Sequence, residues 1–153
     1  MSGSFLSILS EGNDKYTESD SVRINNILLG FFDELRKTGT EFGYRTANEI
    51  KKLIYFLSVL DKELSDDEKS DIAVMQKLLP KLHGSRRKLI PVLETLGSLC
   101  LKEGSDIRAD FFEANNDIHY ETDERVIFPL TLEKVIRMYR SAVDNGFASY
   151  AEA

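Results

Sequence analysis

The sequence has 153 residues and a net charge of −6, from 20 Lys and Arg against 26 Asp and Glu. Its length suits one domain, and a composition 42% apolar and 30% charged is typical of a globular protein. The acidic balance argues against a general nucleic-acid coat protein, and one cysteine excludes a disulfide framework. The sequence also lacks a signal peptide and an apolar run of the ~20 residues that a membrane helix needs, so we expect a cytoplasmic protein.

The N-terminal half predicts two helices after a polar start. We expect residues 1–18 to be a loose lead-in, or a remnant of other sequence, ahead of one helical domain over 19–153. Ser19 or Asp20 is a candidate cap for a first helix that ends at Gly39. A second helix carries apolar residues at helical spacing from Ala47 to Leu57, and Thr46 with Glu49 predicts a capping box at its start.

Three more helices follow in the C-terminal half. Ser65 begins an acidic, capped first turn, and that helix continues to Leu82, near Pro80 and Gly84, which stop or bend it. A fourth helix follows Ser85, with a kink or a late start expected at Pro91. Thr131 is the candidate cap of the last helix, which Asn145-Gly146 ends with a left-handed residue. The pattern predicts an all-α bundle of about five helices.

Residues 103–124 do not fit the helical pattern. They hold eight acids and one base, Arg108. Asn115-Asn116 separates two segments, 107–113 and 118–122, that are able to form a short β-hairpin. We therefore expect an exposed acidic insertion that holds a loop or a small hairpin.

The run from Lys77 to Lys88 contains five cations and no acid, and three of them, Arg86, Arg87 and Lys88, follow Gly84-Ser85 at a predicted helix start. Cations oppose the helix dipole there, but free N–H groups beside an arginine bind anions well. One interpretation is that Arg86, and secondarily Arg87, faces a phosphate from a ligand or another domain. The other is a solvated turn that pairs with the acids of 61–71 or 103–124.

The other candidate residues carry weaker signals. Arg45, beside Tyr44 and Gly43, lies at a second helix start. There it contacts a neighbouring domain or a nucleotide, or it stacks on Tyr44 or pairs with Glu41. His83 suits a helix C-terminus and Cys100 continues an apolar stripe. His119 lies among acids without the spacing of a metal site, so we expect no metal.

The nucleotide-binding and hydrolase motifs are missing from the sequence. It contains no Gly-x-x-x-x-Gly-Lys-Ser/Thr loop, no Gly-x-Gly-x-x-Gly, no Gly-x-Ser-x-Gly and no His-Glu-x-x-His. We therefore expect that this chain alone is not an enzyme.

Three segments together resemble the C-terminal helical lid region of McrB-like AAA+ ATPases, the motor subunits of modification-dependent restriction systems. They are Phe42–Ile50 (FGYRTANEI), Met75–Leu89 (MQKLLPKLHGSRRKL) and Leu130–Met138 (LTLEKVIRM) with Gly146–Tyr150. The lead-in and the acidic insertion are poorly covered, and the P-loop, the Walker B acids and the arginine finger are absent.

This resemblance implies a function for the cationic helix start. Gly84-Ser85-Arg86 is similar to the sensor-2 turn of AAA+ lids, so Arg86, with Arg87 as second choice, would sense the nucleotide. Arg45 and Tyr44 would contact the core or the next subunit. The intact protein would use ATP or GTP with Mg, and its partners would be its own AAA+ core, neighbouring ring subunits and a nuclease subunit. DNA would be reached only through the full assembly.

Two rival hypotheses stay open. The chain is a free-standing helical interaction or regulatory module without a nucleotide role, or it binds anions or nucleic acid through residues 77–88. An upstream in-frame Walker A segment favours the lid, and a short independent gene favours the interaction module. Binding of anions or nucleic acid that weakens steeply with salt concentration favours the third hypothesis.

Overall fold

The computed structural model describes residues 18–39, 43–114, 117–151 and 153, with side chains from Val22 onward. The predicted lead-in lies outside this range except for Glu18. The described chain is mainly helical, which confirms the all-α class. It forms two compact units that divide between Leu78 and Leu79. The single domain expected over 19–153 stays a prediction. Helical spacing shows which face of a helix is buried but not which helix covers it, so the sequence did not reveal this division.

The described part of the first unit contains three α-helices: α1 (Glu18–Lys37), α2 (Tyr44–Leu60) and α3 (Asp66–Ala73). The π-helix Val74–Leu78 directly follows α3. Helix α3 packs against both α1 and α2. The core side chains recur at helical spacing: Ile24, Leu28, Phe31, Phe32 and Leu35 on α1, and Ala47, Ile50 and Ile54 on α2. This spacing explains why the apolar positions predicted two amphipathic helices.

The second unit contains α4 (Arg86–Leu99) packed on α5 (Pro129–Asn145). A 3-10 turn spans Leu79–Lys81, and a π-helix spans Arg108–Phe112. Strand β1 (His83–Ser85) pairs in antiparallel register with β2 (Phe147–Ser149), with Gly84 opposite Ala148. The fully buried side chains at the helix interface are Leu93, Leu96, Leu132, Val135 and Ile136. The short sheet thus joins the start of α4 to the segment that follows α5.

The helix ends test the predicted caps. Ser65 Oγ accepts a hydrogen bond from Glu68 N while Glu68 Oε1 accepts one from Ser65 N, both at 3.1 Å, and this capping box confirms the predicted first turn of α3. Gly39 and Gly146 have positive φ angles of 84° and 75°, as their predicted roles at helix ends require.

Three predicted starts are wrong. Helices α1, α2 and α5 begin at Glu18, Tyr44 and Pro129, so Ser19, Asp20, Thr46 and Thr131 lie inside helices rather than at their caps. Proline is favoured at a first helical position because its fixed φ suits the helix and it has no N–H to leave unsatisfied. Helix α4 begins before Pro91 and continues through it, because the carbonyl that loses its partner lies in the exposed first turn, where water reaches it.

The acidic segment 103–124 differs from the prediction. Two-stranded pairing exists in the described chain, but it joins 83–85 to 147–149, and residues 108–112 form a π-helix instead of a hairpin strand. The expectation of an exposed insertion is wrong for Ile107, Phe111 and Phe112, which are buried. Phe112 stacks on Tyr139 with ring centroids 3.9 Å apart. These three apolar side chains draw the segment onto the core despite its acids.

Candidate functional site

The start of α4 is built by backbone pairing rather than by a side-chain cap. Gly84, with φ at 138°, supplies a conformation that residues with a Cβ rarely adopt. Arg86 N donates a hydrogen bond to Gly146 O at 2.9 Å, which fixes the first turn of α4 to the end of α5. Ser85 is the N-cap residue, yet within the described chain its side chain makes no capping hydrogen bond. The β1–β2 sheet therefore holds the helix start in place.

The cations at this helix start are exposed to solvent. Arg86, Arg87 and Lys88 are all exposed, and none forms an ion pair with the described residues of the second unit. Five other arginines each lie within 2.7–3.2 Å of a carboxylate: Arg23, Arg45, Arg108, Arg125 and Arg137. Arg36 and Arg140 are exposed and, like Arg86, form no ion pair with the described residues. The run thus presents positive charge that the second unit does not neutralise.

Two acids of the 103–124 segment, Asp110 and Asp123, pair with Arg125. Asp123 accepts a forked pair of hydrogen bonds from Arg125, at 3.0 Å to Nε and 2.7 Å to Nη2. Asp110 lies 3.8 Å from the same guanidinium, while Arg108 pairs with Glu94 at 2.7 Å. The second unit therefore does not show the predicted alternative in which acids of 103–124 pair with Arg86.

Arg45 and Tyr44 lie at the start of α2 in the first unit. The Arg45 side chain is 90% exposed, and its Nε lies 3.2 Å from Glu49 Oε1. Tyr44 is 57% exposed. Glu41, the partner considered from the sequence, lies outside the described residues. These two residues and the Arg86 cluster thus belong to separate units, and each forms its own exposed surface.

A cleft of about 360 Å³ lies in the second unit beside the acidic segment. Asp110, His119, Asp123 and Arg125 line it with neighbouring residues. The forked hydrogen bonds from Arg125 lower the pKa of Asp123 from 3.8 to about 2. Arg125 also lies 4.6 Å above the Phe111 ring. Arg125 contacts Asp110, Asp123 and the Phe111 ring, so it holds the acidic segment in place beside the cleft. The spacing of Asp123 and Arg125 in the sequence was the signal for this contact that sequence reasoning missed.

Metal and thiol chemistry have little basis in the described chain. Among its residues, no group of three or more His, Cys, Asp or Glu side chains is placed to hold a metal ion. Cys100 is fully buried, as its position in an apolar stripe predicts. His83 is exposed on β1 rather than at a helix end. No described helix is long and apolar enough to cross a membrane.

Sequence reasoning also missed an apolar surface at the end of α2. Phe56, Val59 and Leu60 follow i, i+3, i+4 spacing and are 55%, 59% and 66% exposed. Apolar residues lie on most sides of α2, but only one face of it is buried. The sequence signal for this surface was that the apolar residues of α2 cover a wider part of the helix than one packing face requires.

A model of a domain of unknown function, DUF8727, matches residues 5–147, and the chain belongs to this family. No curated protein and no solved structure matches the chain.

Proposed function

For this member of the DUF8727 family, we propose the role of a helical lid in an NTPase assembly of the McrB-like AAA+ type. The observation that carries the proposal is the exposed trio Arg86, Arg87 and Lys88 at the start of α4, without an ion-pair partner among the described residues of its unit. A guanidinium in that setting donates two parallel hydrogen bonds to a phosphate. Arg86, with Arg87 second, contacts the terminal phosphate of a nucleotide that a separate P-loop core holds.

The fold supports a mechanical role for this contact. The α4 start is tied through Arg86 N to Gly146 O, and α4 packs along α5. A phosphate that pulls on Arg86 therefore acts on both helices together rather than on one mobile side chain. The lid closes when the phosphate is present and is released after hydrolysis, because differential contact with two states is what shifts a conformational equilibrium.

The assembly supplies the parts that this sequence lacks. The core contributes the P-loop and Mg with ATP or GTP, and neighbouring ring subunits and a nuclease subunit complete the system in the cytoplasm. Tyr44 and Arg45 form a second contact with the core or with the next subunit, supported by their exposure at the start of α2. Double-stranded DNA is engaged only by the full assembly.

The test compares Arg86→Ala with Arg137→Ala in this chain assembled with the P-loop core that accompanies it in its native genome. Arg137 is a matched control because it is exposed but already pairs with Glu133 at 2.8 Å. Loss of a charged hydrogen bond in the transition state lowers turnover by about 10- to 100-fold. Arg86→Ala is expected to show this loss and Arg137→Ala to retain activity. Unchanged turnover and nucleotide affinity in Arg86→Ala would remove the sensor role.

A second candidate function is a self-contained helical interaction module. The apolar end of α2, formed by Phe56, Val59 and Leu60, favours it because large exposed apolar side chains at helical spacing suit a partner helix. Native genomic context separates the two functions. A short independent gene with no P-loop neighbour, together with unaltered stability but lost partner binding in Phe56→Ser, would favour the module.

A further inference from the structure

Strand β2 places an aromatic ring next to the unpaired cations. Phe147 is directly opposite Ser85 in the antiparallel pair, and Ser85 precedes Arg86 in the chain. The ring is 46% exposed. A large apolar side chain left half-exposed beside several cations is not explained by core packing, because the same strand buries Ala148 completely.

The strand pattern puts one set of side chains on one sheet face. Neighbouring side chains along a strand point to opposite faces, and the buried Ala148 marks the inner face. Phe147 and its partner Ser85 therefore lie on the outer face, with His83 two residues from Ser85 on the same face. Arg86, Arg87 and Lys88 directly follow Ser85 in the chain and are exposed, as are His83 and Phe147. We call these five exposed residues the cationic–aromatic face.

From this arrangement we infer that the cationic–aromatic face binds single-stranded nucleic acid. Phosphates contact Arg86, Arg87 and Lys88 while a base stacks on the Phe147 ring, which is the combination that single-strand binding surfaces use. The charge of the whole chain, −6, does not prevent this, because acids of the second unit pair with Arg108 and Arg125 elsewhere. An unstacked base exposes the aromatic surface that a duplex hides, so the ring favours single strands.

This inference shares residues with the proposed lid but does not depend on that function. DNA and RNA single strands have the phosphate and base chemistry in common. They differ in the 2′-hydroxyl, so a deoxythymidine and a uridine oligomer distinguish the two sources.

The experiment measures fluorescence anisotropy of labelled oligomers of about 12 nucleotides with the full chain at about 50 mM salt. The probes are oligo-dT, oligo-rU and an abasic deoxyribose-phosphate oligomer of equal length. Phe147→Ala is expected to weaken binding of the base-bearing probes by about tenfold and to leave abasic binding unchanged. Phe147→Tyr keeps a stacking ring and is expected to retain wild-type affinity, which guards against a folding defect in the alanine variant.

Charge and control variants complete the design. Replacing Arg86 and Arg87 together by Gln is expected to reduce the slope of log affinity against log salt by about 1.4, since each single-strand phosphate contact contributes about 0.7. Arg137→Gln, which removes an exposed cation already paired with Glu133, is expected to change neither the affinity nor the slope.

Three outcomes would overturn the inference: no binding of dT or rU, equal affinity for base-bearing and abasic probes, or tighter binding of a polyglutamate peptide than of either oligomer. The last would assign the face to an acidic protein. If turnover of the NTPase assembly requires Arg86 but the chain binds no oligomer, this inference is wrong and the proposed lid function is retained. If the chain binds the oligomers but turnover does not depend on Arg86, the lid function is wrong and this inference is retained.

Discussion

At the scale of single residues, the paired Arg125 and the unpaired Arg86 and Arg87 have different consequences. Arg140 is also exposed and forms no ion pair with the described residues, but it lies inside α5 rather than at a helix start. Arg125 is used inside its unit, since it holds Asp123 at 2.7 Å and covers Phe111. Arg86 and Arg87 have no carboxylate partner among the described residues of their unit. Sequence spacing identified Arg86 and Arg87 because cations at a helix start oppose the dipole. The neighbouring Asp123 was a local signal for Arg125, but its contacts with Asp110 and Phe111 could not be predicted, because they depend on how the acidic segment folds back.

The Asp123–Arg125 contact predicts a pH dependence of stability. The pKa of Asp123 is about 2 in the folded chain and near 3.8 when it is unperturbed, so the unfolded chain binds the proton more tightly. The stabilisation is therefore present above pH ~4 and is lost as pH falls through about 2. Thermal melts of Asp123→Asn and wild type are expected to differ at pH ~5 and to converge near pH ~2. An equal difference at both pH values would contradict this.

Gly97 and Gly30 form a matched pair of helical glycines. A Cβ at Gly97 would lie 2.6 Å from Ile107 Cγ1, whereas one at Gly30 meets nothing within 4 Å. Gly97→Ala is therefore expected to destabilise the protein by about 1–3 kcal/mol through overpacking. Gly30→Ala is expected to stabilise it by about 0.5–1 kcal/mol through helix propensity. Urea unfolding measures both changes, and the same sign for the two variants would show that the Ile107 contact is wrong.

At the scale of elements, local signals predicted what depends on near neighbours. The Ser65–Glu68 box and the left-handed Gly146 are set by a few adjacent residues, and both are present. Segment 103–124 was mispredicted because its acids dominate the composition while three buried apolar side chains decide its packing. The β1–β2 pair was also beyond sequence reasoning, because its strands are only three residues long and far apart in the chain.

The α3 cap offers a direct test of this element-scale account. Ser65→Ala removes the oxygen that accepts from Glu68 N and is expected to cost about 1 kcal/mol of unfolding free energy. Ser98→Ala is the control, because Ser98 is an exposed residue inside α4 where alanine is a better helix former. Chemical denaturation with both variants equally stable would argue against the capping box.

At the scale of the whole molecule, the described chain consists of two helical units that carry different exposed surfaces. The first presents the apolar end of α2, and the second presents the cationic–aromatic face. Apolar periodicity in the sequence predicted the helices but not this division, since it does not show which helices pack together. The Arg86 cluster was predicted from sequence, whereas Phe147 joined it only through the register of β1 and β2.

The central claim is that Arg86 and Arg87 engage phosphate, and a site-resolved titration tests it most directly. Inorganic triphosphate is added to the isotope-labelled chain while NMR follows the guanidinium Nε signals. Saturable, salt-sensitive shifts are expected at Arg86 and Arg87, and no shifts are expected at Arg108 and Arg137, because carboxylates already bind these two side chains. Equal small shifts at all four arginines, or none at Arg86 and Arg87, would contradict this claim.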